Sequence, residues 1–271
     1  VALASLVVSL IAGVLPAGAT TQIVRSAGLT ATFSYHGTSP MSHHPHLIIS
    51  DDGKVVYNRA VTSAWCGKEC SPNTIAENRT VVHIVRLGSG PPSVVLDLYS
   101  GGAHCCFIEQ VYSLGANSMN VRKSEYNFGN PGVRLMKLRS GGEGFLSANN
   151  AFAYEFTDFA ASGMPIEIFD VSHNAFHNVT TDYPSLIRKD AEQWIRAFRA
   201  QAGTHYQDTV GVIAAWAADE DMLGHTTAVA KFLVTQAGLG HLNSALSPIE
   251  ASGQKYVVAL QKFLRNHGYT H

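Results

Sequence analysis

"TVVHIVRLGSGPPSVVLDLYSGGAHCC", residues 80–106, decides how this chain folds. "TVVHIVRL" and "SVVLDLYS" read as strands, and the cluster Gly88-Ser89-Gly90-Pro91-Pro92 between them is a strong breaker. The pattern is therefore strand, turn, strand. The second strand runs into Ser100, Gly101, Gly102, His104 and the adjacent Cys105 and Cys106.

The same rhythm extends in both directions. "LTATFSY" alternates, and "LIISDDGKVVYN" reads as a hairpin with Asp52-Gly53 at its turn. Downstream come "FIEQVYSL", "VRKSEY", "VRLMKL", "FAYEF", "PIEIFDV" and "AFHNVT", most of them separated by glycine- or asparagine-rich turns. Short strands at this spacing, without helical stretches between them, predict antiparallel sheets. A faint internal echo has two registers. One sets "LDLYSGGAH" at Leu96 against "MKLRSGGEG" at Met136; the other sets "LGSGPPSVV" at Leu87 against "LRSGGEGFL" at Leu138. Periods of about 40–50 residues belong to propeller blades, but about 150 β residues are too few for a full ring. A partial propeller or a sandwich is expected.

The period changes at "TTDYPSLIRKDAEQWIRAFRAQAG". Asp182 is placed to cap and Pro184 to open a helix, with Ile187, Ala191, Trp194, Ile195 and Phe198 on one face. Further helices are predicted near 209–222, 226–236 and 253–266, the last with the stripe Tyr256, Val257, Leu260, Phe263 and Leu264. The fold class expected is α+β, an antiparallel β-rich part followed by a helical subdomain. The predicted divisions are a signal peptide over 1–19, a β domain over 20–181 and helices over 182–271.

"VALASLVVSLIAGVLPAGA" supports the first division: an uncharged apolar run, then Pro16 and the small triplet Ala17-Gly18-Ala19. That order is an export signal with its cleavage site. A single membrane anchor is the alternative, but spanning needs about 20 apolar residues. After cleavage no membrane span is expected, and the mature chain is secreted, periplasmic or otherwise extracytoplasmic. Lys plus Arg number 19 against 20 for Asp plus Glu, so no basic field exists to hold nucleic acid.

Export makes disulfides the expected state of Cys66, Cys70, Cys105 and Cys106. Four cysteines allow three pairings. Neighbouring Cα atoms are 3.8 Å apart across a trans peptide, whereas disulfides prefer about 5.5 Å. Cross-pairing of the two clusters is therefore expected, each link closing about 35–40 residues and contributing about 3–4 kcal/mol.

The segment "RLGSGPPSVVLDLYSGGAHCC" resembles uncharacterised secreted bacterial proteins, chiefly actinobacterial, that carry integrin-like repeats of the FG-GAP or VCBS type. "VTSAWCGKECSP", "NAFAYEFTDFAASGMPIEIF", "VTTDYPSLIRKDA", "AAWAADEDMLG" and "YVVALQKFLRNHGY" are similar to the same group. The resemblance implies architecture rather than a reaction. It also implies aspartate-rich calcium turns, but here Lys137 to Gly142 carries basic residues and glycine at those places, and Arg86 to Gly90 is one residue short. Calcium needs several oxygen ligands, so no calcium is expected.

Cys105 or Cys106 with His104 is the nucleophile reading, and sequence neighbours on a strand or turn do not converge. Zinc held by His104 with Cys66, Cys70 and Cys105 or Cys106 is crowded at "HCC". "MSHHPH" places His43, His44 and His46 together, a weak zinc or copper candidate or an exposed loop. Asp97 and Glu109 flank the cysteine turn, and Glu155 and Asp158 lie in "AYEFTDF", with no recognisable catalytic pairing. Ser100, Gly101, Gly102 and Glu109 are candidate ligand contacts. The resulting expectation is a secreted, non-catalytic binding protein without a cofactor, its partner a cell-envelope polymer or another exported protein. The alternatives are an exported metal-dependent hydrolase and a metal-handling protein.

Overall fold

The structure, a computed structural model, describes residues 19–37, 42–73, 80–102, 105–115, 120–204, 208–244 and 252–270. Residues 1–18, where the export signal is expected, lie outside them. The fold is α+β, with three antiparallel sheets in series and four helices after them. No helix among the described residues is long and apolar enough to cross a membrane.

The first sheet is a meander of β1 (Ala19–Ser26), β2 (Leu29–His36), β3 (His43–Asp51) and β4 (Lys54–Ala60). The second contains β5 (Ser71–Pro72), β6 (Val82–Arg86), β7 (Pro92–Tyr99), β8 (Phe107–Leu114) and β9 (Val121–Gly129), with β5 and β6 both paired to β7. The third meander is β10 (Arg134–Lys137), β11 (Glu143–Ala148), β12 (Ile166–Ser172) and β13 (Ala175–Asn178).

The run "SVVLDLY" is apolar on both faces because β7 is covered on both. Val94, Leu96 and Leu98 pack against Phe33, Leu47 and Ile49 of the first sheet. Val95, on the opposite face, packs with Val111 against Phe145 and Phe169 of the third. The sheets therefore stack in chain order with the second in the middle. The β6–β7 and β10–β11 turns lie side by side in consecutive sheets. Five residues separate Leu87 from the start of β7 and Leu138 from the start of β11. The two turns touch: the Gly88 N–H donates to Glu143 O at 3.1 Å.

The helices are α1 (Pro184–Gln201), α2 (Val210–Met222), α3 (Thr226–Gly238) and α4 (Gly253–Asn266). The predicted stripe of α4 is buried throughout, as are Ile187, Ala191 and Phe198 of α1. Tyr183 and Leu186 dock the helices on Met136, Leu138, Ile166 and Ile168 of the third sheet.

Three expectations need correction. The strand β1 was not predicted. It pairs with β2 along its whole length, but as an edge strand with Ile23 exposed it shows little apolar alternation. "FAYEF" is not a strand: Phe152 and Phe156 are buried in the helical core while Tyr154 is exposed, a spacing of four rather than two. Asp182 does not cap α1, because it belongs to a short 3-10 turn, Thr180–Asp182, and Tyr183 holds the cap position.

Candidate functional site

Both cysteine clusters lie at one end of the second sheet. Cys70 leads into Ser71, which pairs with Tyr99, the residue before Ser100. Each cluster closes on itself, Cys66 with Cys70 and Cys105 with Cys106, which corrects the expected cross-pairing. Ser63 and Gly67 exchange backbone hydrogen bonds of 2.9 and 2.8 Å, folding residues 63–67 back on themselves, and the Glu69 N–H donates to Cys66 O at 3.0 Å, closing the next turn. That brings the Cα atoms of Cys66 and Cys70 to 5.1 Å, within disulfide range. No free cysteine remains among the described residues.

Ser100, Gly101 and Gly102 hold this turn. The Ser100 N–H donates to Cys106 O at 3.0 Å, and the Cys106 N–H donates back to Ser100 Oγ at 2.6 Å. The Tyr99 hydroxyl donates to Gly102 O. Gly101 has φ +76°, a conformation that favours glycine. His104 lies outside the described residues.

Glu109 faces elsewhere, into a small cavity between the second and third sheets. Asp97 and Glu109 are direct cross-strand partners, and both carboxylates are buried. His83 on β6 donates from Nε2 to Asp97 Oδ2 at 3.2 Å. Val133, Arg134, Leu135 and Phe145 complete the walls of about 130 Å³. The space is well below the roughly 300 Å³ at which ligand pockets begin. Asp158 has a structural task, accepting from the Ala161 N–H at 2.9 Å.

A larger and more open concavity lies where the β6–β7 turn approaches the β12–β13 turn. It holds about 340 Å³ and is bordered by Ser89, Ser93, Ser113, Asp170, His173 and Asn174. His173 and Asn174 have φ +52° and +60°, a tight hairpin that lifts both side chains to the rim. Hydroxyls, an amide, an imidazole and a carboxylate thus surround one groove.

A second polar constellation sits at the joint of sheet and helices, and the sequence reading missed it. Asp190 of α1 accepts from Trp194 Nε1 at 2.9 Å and from the Ile166 N–H at 3.1 Å, both at Oδ2. Asp219 of α2 is fully buried beside the Asp190 carboxylate and the Ile166 N–H. Burial, reinforced by the neighbouring Asp190 carboxylate, pushes the Asp219 carboxyl up to about 10. Burial also raises Asp190, against the hydrogen bonds from Trp194 and Ile166, and lifts Glu167 to about 7. The available signal was α2 itself: "VGVIAAWAADEDM" is apolar almost all round, so it must be buried on every side, and Asp219 with it.

Among the described residues, no group of three or more His, Cys, Asp or Glu side chains is already arranged to hold a metal ion. His43 and His44 are exposed and His46 is half-buried on β3. The structure brings His36 to them from β2, where it pairs with His43.

No family model and no solved structure matches this chain. It is similar to a probable thylakoid lumen protein of Synechocystis sp., with 24% identity over 137 residues. That stretch is 49% of this chain and 40% of the relative. The chain thus spans less than half the length of the curated relative it matches.

Proposed function

We propose that this is an extracytoplasmic protein that binds a cell-envelope polymer and carries out no reaction. The observation that carries the reading is the 340 Å³ groove, of ligand-binding size, whose lining sets hydroxyl, amide and carboxylate groups beside apolar side chains such as Leu87 and Leu114. Such a lining suits a polymer rich in hydroxyls. The location is supported by the two disulfides, which persist in oxidising compartments, and by the lumenal name of the relative. The small volume around Asp97, Glu109 and His83 supports a structural role for those groups over a catalytic one. The serial meanders and the matched turns at Leu87 and Leu138 support reading the β part as diverged integrin-like repeats.

Co-sedimentation with insoluble bacterial envelope polymer tests this. The unaltered protein is expected in the pellet. Ser113→Trp, which fills the groove, should weaken binding at least tenfold with an unchanged circular dichroism spectrum. Protein that stays in the supernatant, or a Trp variant that binds equally well, would overturn the groove as a polymer site.

A further inference from the structure

The sequence groups His43, His44 and His46, but the fold groups a different three. On β2 and β3 the pairs Ser34–His46 and His36–His43 leave one residue, Tyr35, opposite two, His44 and Pro45. This is a β-bulge, and Pro45, which has no N–H to donate, is suited to it. Adjacent residues of a regular strand point to opposite faces. Here the bulge, with His44 at φ +57°, turns the two neighbours outward together, so that His43 and His44 are both exposed. Their ring centroids are 5.8 Å apart, and His44 lies 6.2 Å from His36, the rings nearly perpendicular in both pairs. His46 sits further along, opposite Ser34 and Ala60.

We infer that His36, His43 and His44 form a surface site for a divalent late first-row metal ion, zinc being the representative case. Neutral imidazole is the ligand class that zinc, copper and nickel share. Zinc–nitrogen bonds are about 2.0–2.1 Å, so two imidazoles on one tetrahedral ion have ring centres about 5 Å apart. The present separations exceed this by roughly one ångström, and rotation of exposed side chains closes it on a fast timescale. Three protein ligands leave one position for water. A non-glycine residue held at positive φ is the kind of local strain that accompanies functional sites, and at His44 it is what assembles the set. The inference is independent of the groove reading.

The test is equilibrium dialysis of metal-stripped, tag-free full chain against Zn²⁺ alone, with elemental analysis and a thermal melt of each sample. One zinc per chain and a raised Tm are expected for the unaltered protein. His36→Ala should bind at least tenfold more weakly and show no rise in Tm, while His46→Ala should keep both. Substoichiometric binding by the unaltered protein would overturn the site. So would loss of binding in His46→Ala with retention in His36→Ala, which would return the ligands to the contiguous histidine run.

Discussion

Gly142→Ala should destabilise the protein by about 3 kcal/mol or more, the upper end of what overpacking a tight contact costs. A methyl group at 142 would lie 1.9 Å from the Gly88 carbonyl oxygen and 2.6 Å from its carbon and nitrogen. All are backbone atoms, with no rotamer by which to withdraw. Gly88 cannot yield easily, since its N–H is bonded to Glu143 O and its own φ is +53°. The contact seals the second sheet to the third above the Val95, Val111, Phe145 and Phe169 core. Gly141→Ala is the control. Its added methyl meets nothing within 4 Å, so it bears only the strain of φ +91°, about 1–2 kcal/mol. Urea unfolding should rank the variants in that order. Equal midpoints for both would mean that the two turns do not meet.

The second large effect is a loss of stability with rising pH. In the unfolded chain Asp219 ionises near 4, whereas in the fold it keeps its proton to about 10. Its contribution is fully present below pH 4 and lost as pH rises through that window. The folded state binds the extra proton there, so stability declines by up to about 1.4 kcal/mol per pH unit. The groups that face Asp219 are Asp190 from α1, its own neighbour Glu220, the Ile166 N–H of β12 and Tyr269 near the end of the chain. Asp190 and Glu167 are raised as well and act in the same direction. Asp219→Asn keeps the shape and removes the proton. Urea melts at pH 5, 6.5 and 8 should show a flatter slope for the variant, which should overtake the unaltered protein at pH 8. Identical slopes would show that Asp219 is ionised in the fold.

Much of the architecture was legible because it is local. The Asp52-Gly53 hairpin and the α4 stripe each depend on a turn chemistry or a period that a short window contains. What the sequence hid depends on distant partners. β1 is an edge whose pairing with β2 leaves little alternation, and Phe152 with Phe156 belongs to a core built by the later helices α1 to α4. The site residues divide in the same way. The turn at Ser100 was visible as glycines and cysteines, but the fold that brings Cys66 to Cys70 rests on backbone bonds between Ser63 and Gly67 and from Glu69 to Cys66. Glu109 was noticed for its place in sequence, while His83 and Arg134, which line the same cavity, arrive from other strands. His36 lies seven residues before His43 in the chain, and only the β2–β3 register makes them neighbours.

Protein recovered from its native compartment, alkylated without reduction and cleaved between the two cysteine clusters, gives the most direct test of a locally stapled extracytoplasmic protein. Mass spectrometry of the peptides should find Cys66 joined to Cys70 and Cys105 joined to Cys106, with no alkylated thiol. A peptide linking residues 66–70 to residues 105–106 would contradict the turn geometry at the end of the second sheet. Four alkylated thiols would contradict the compartment, and with it the proposed function.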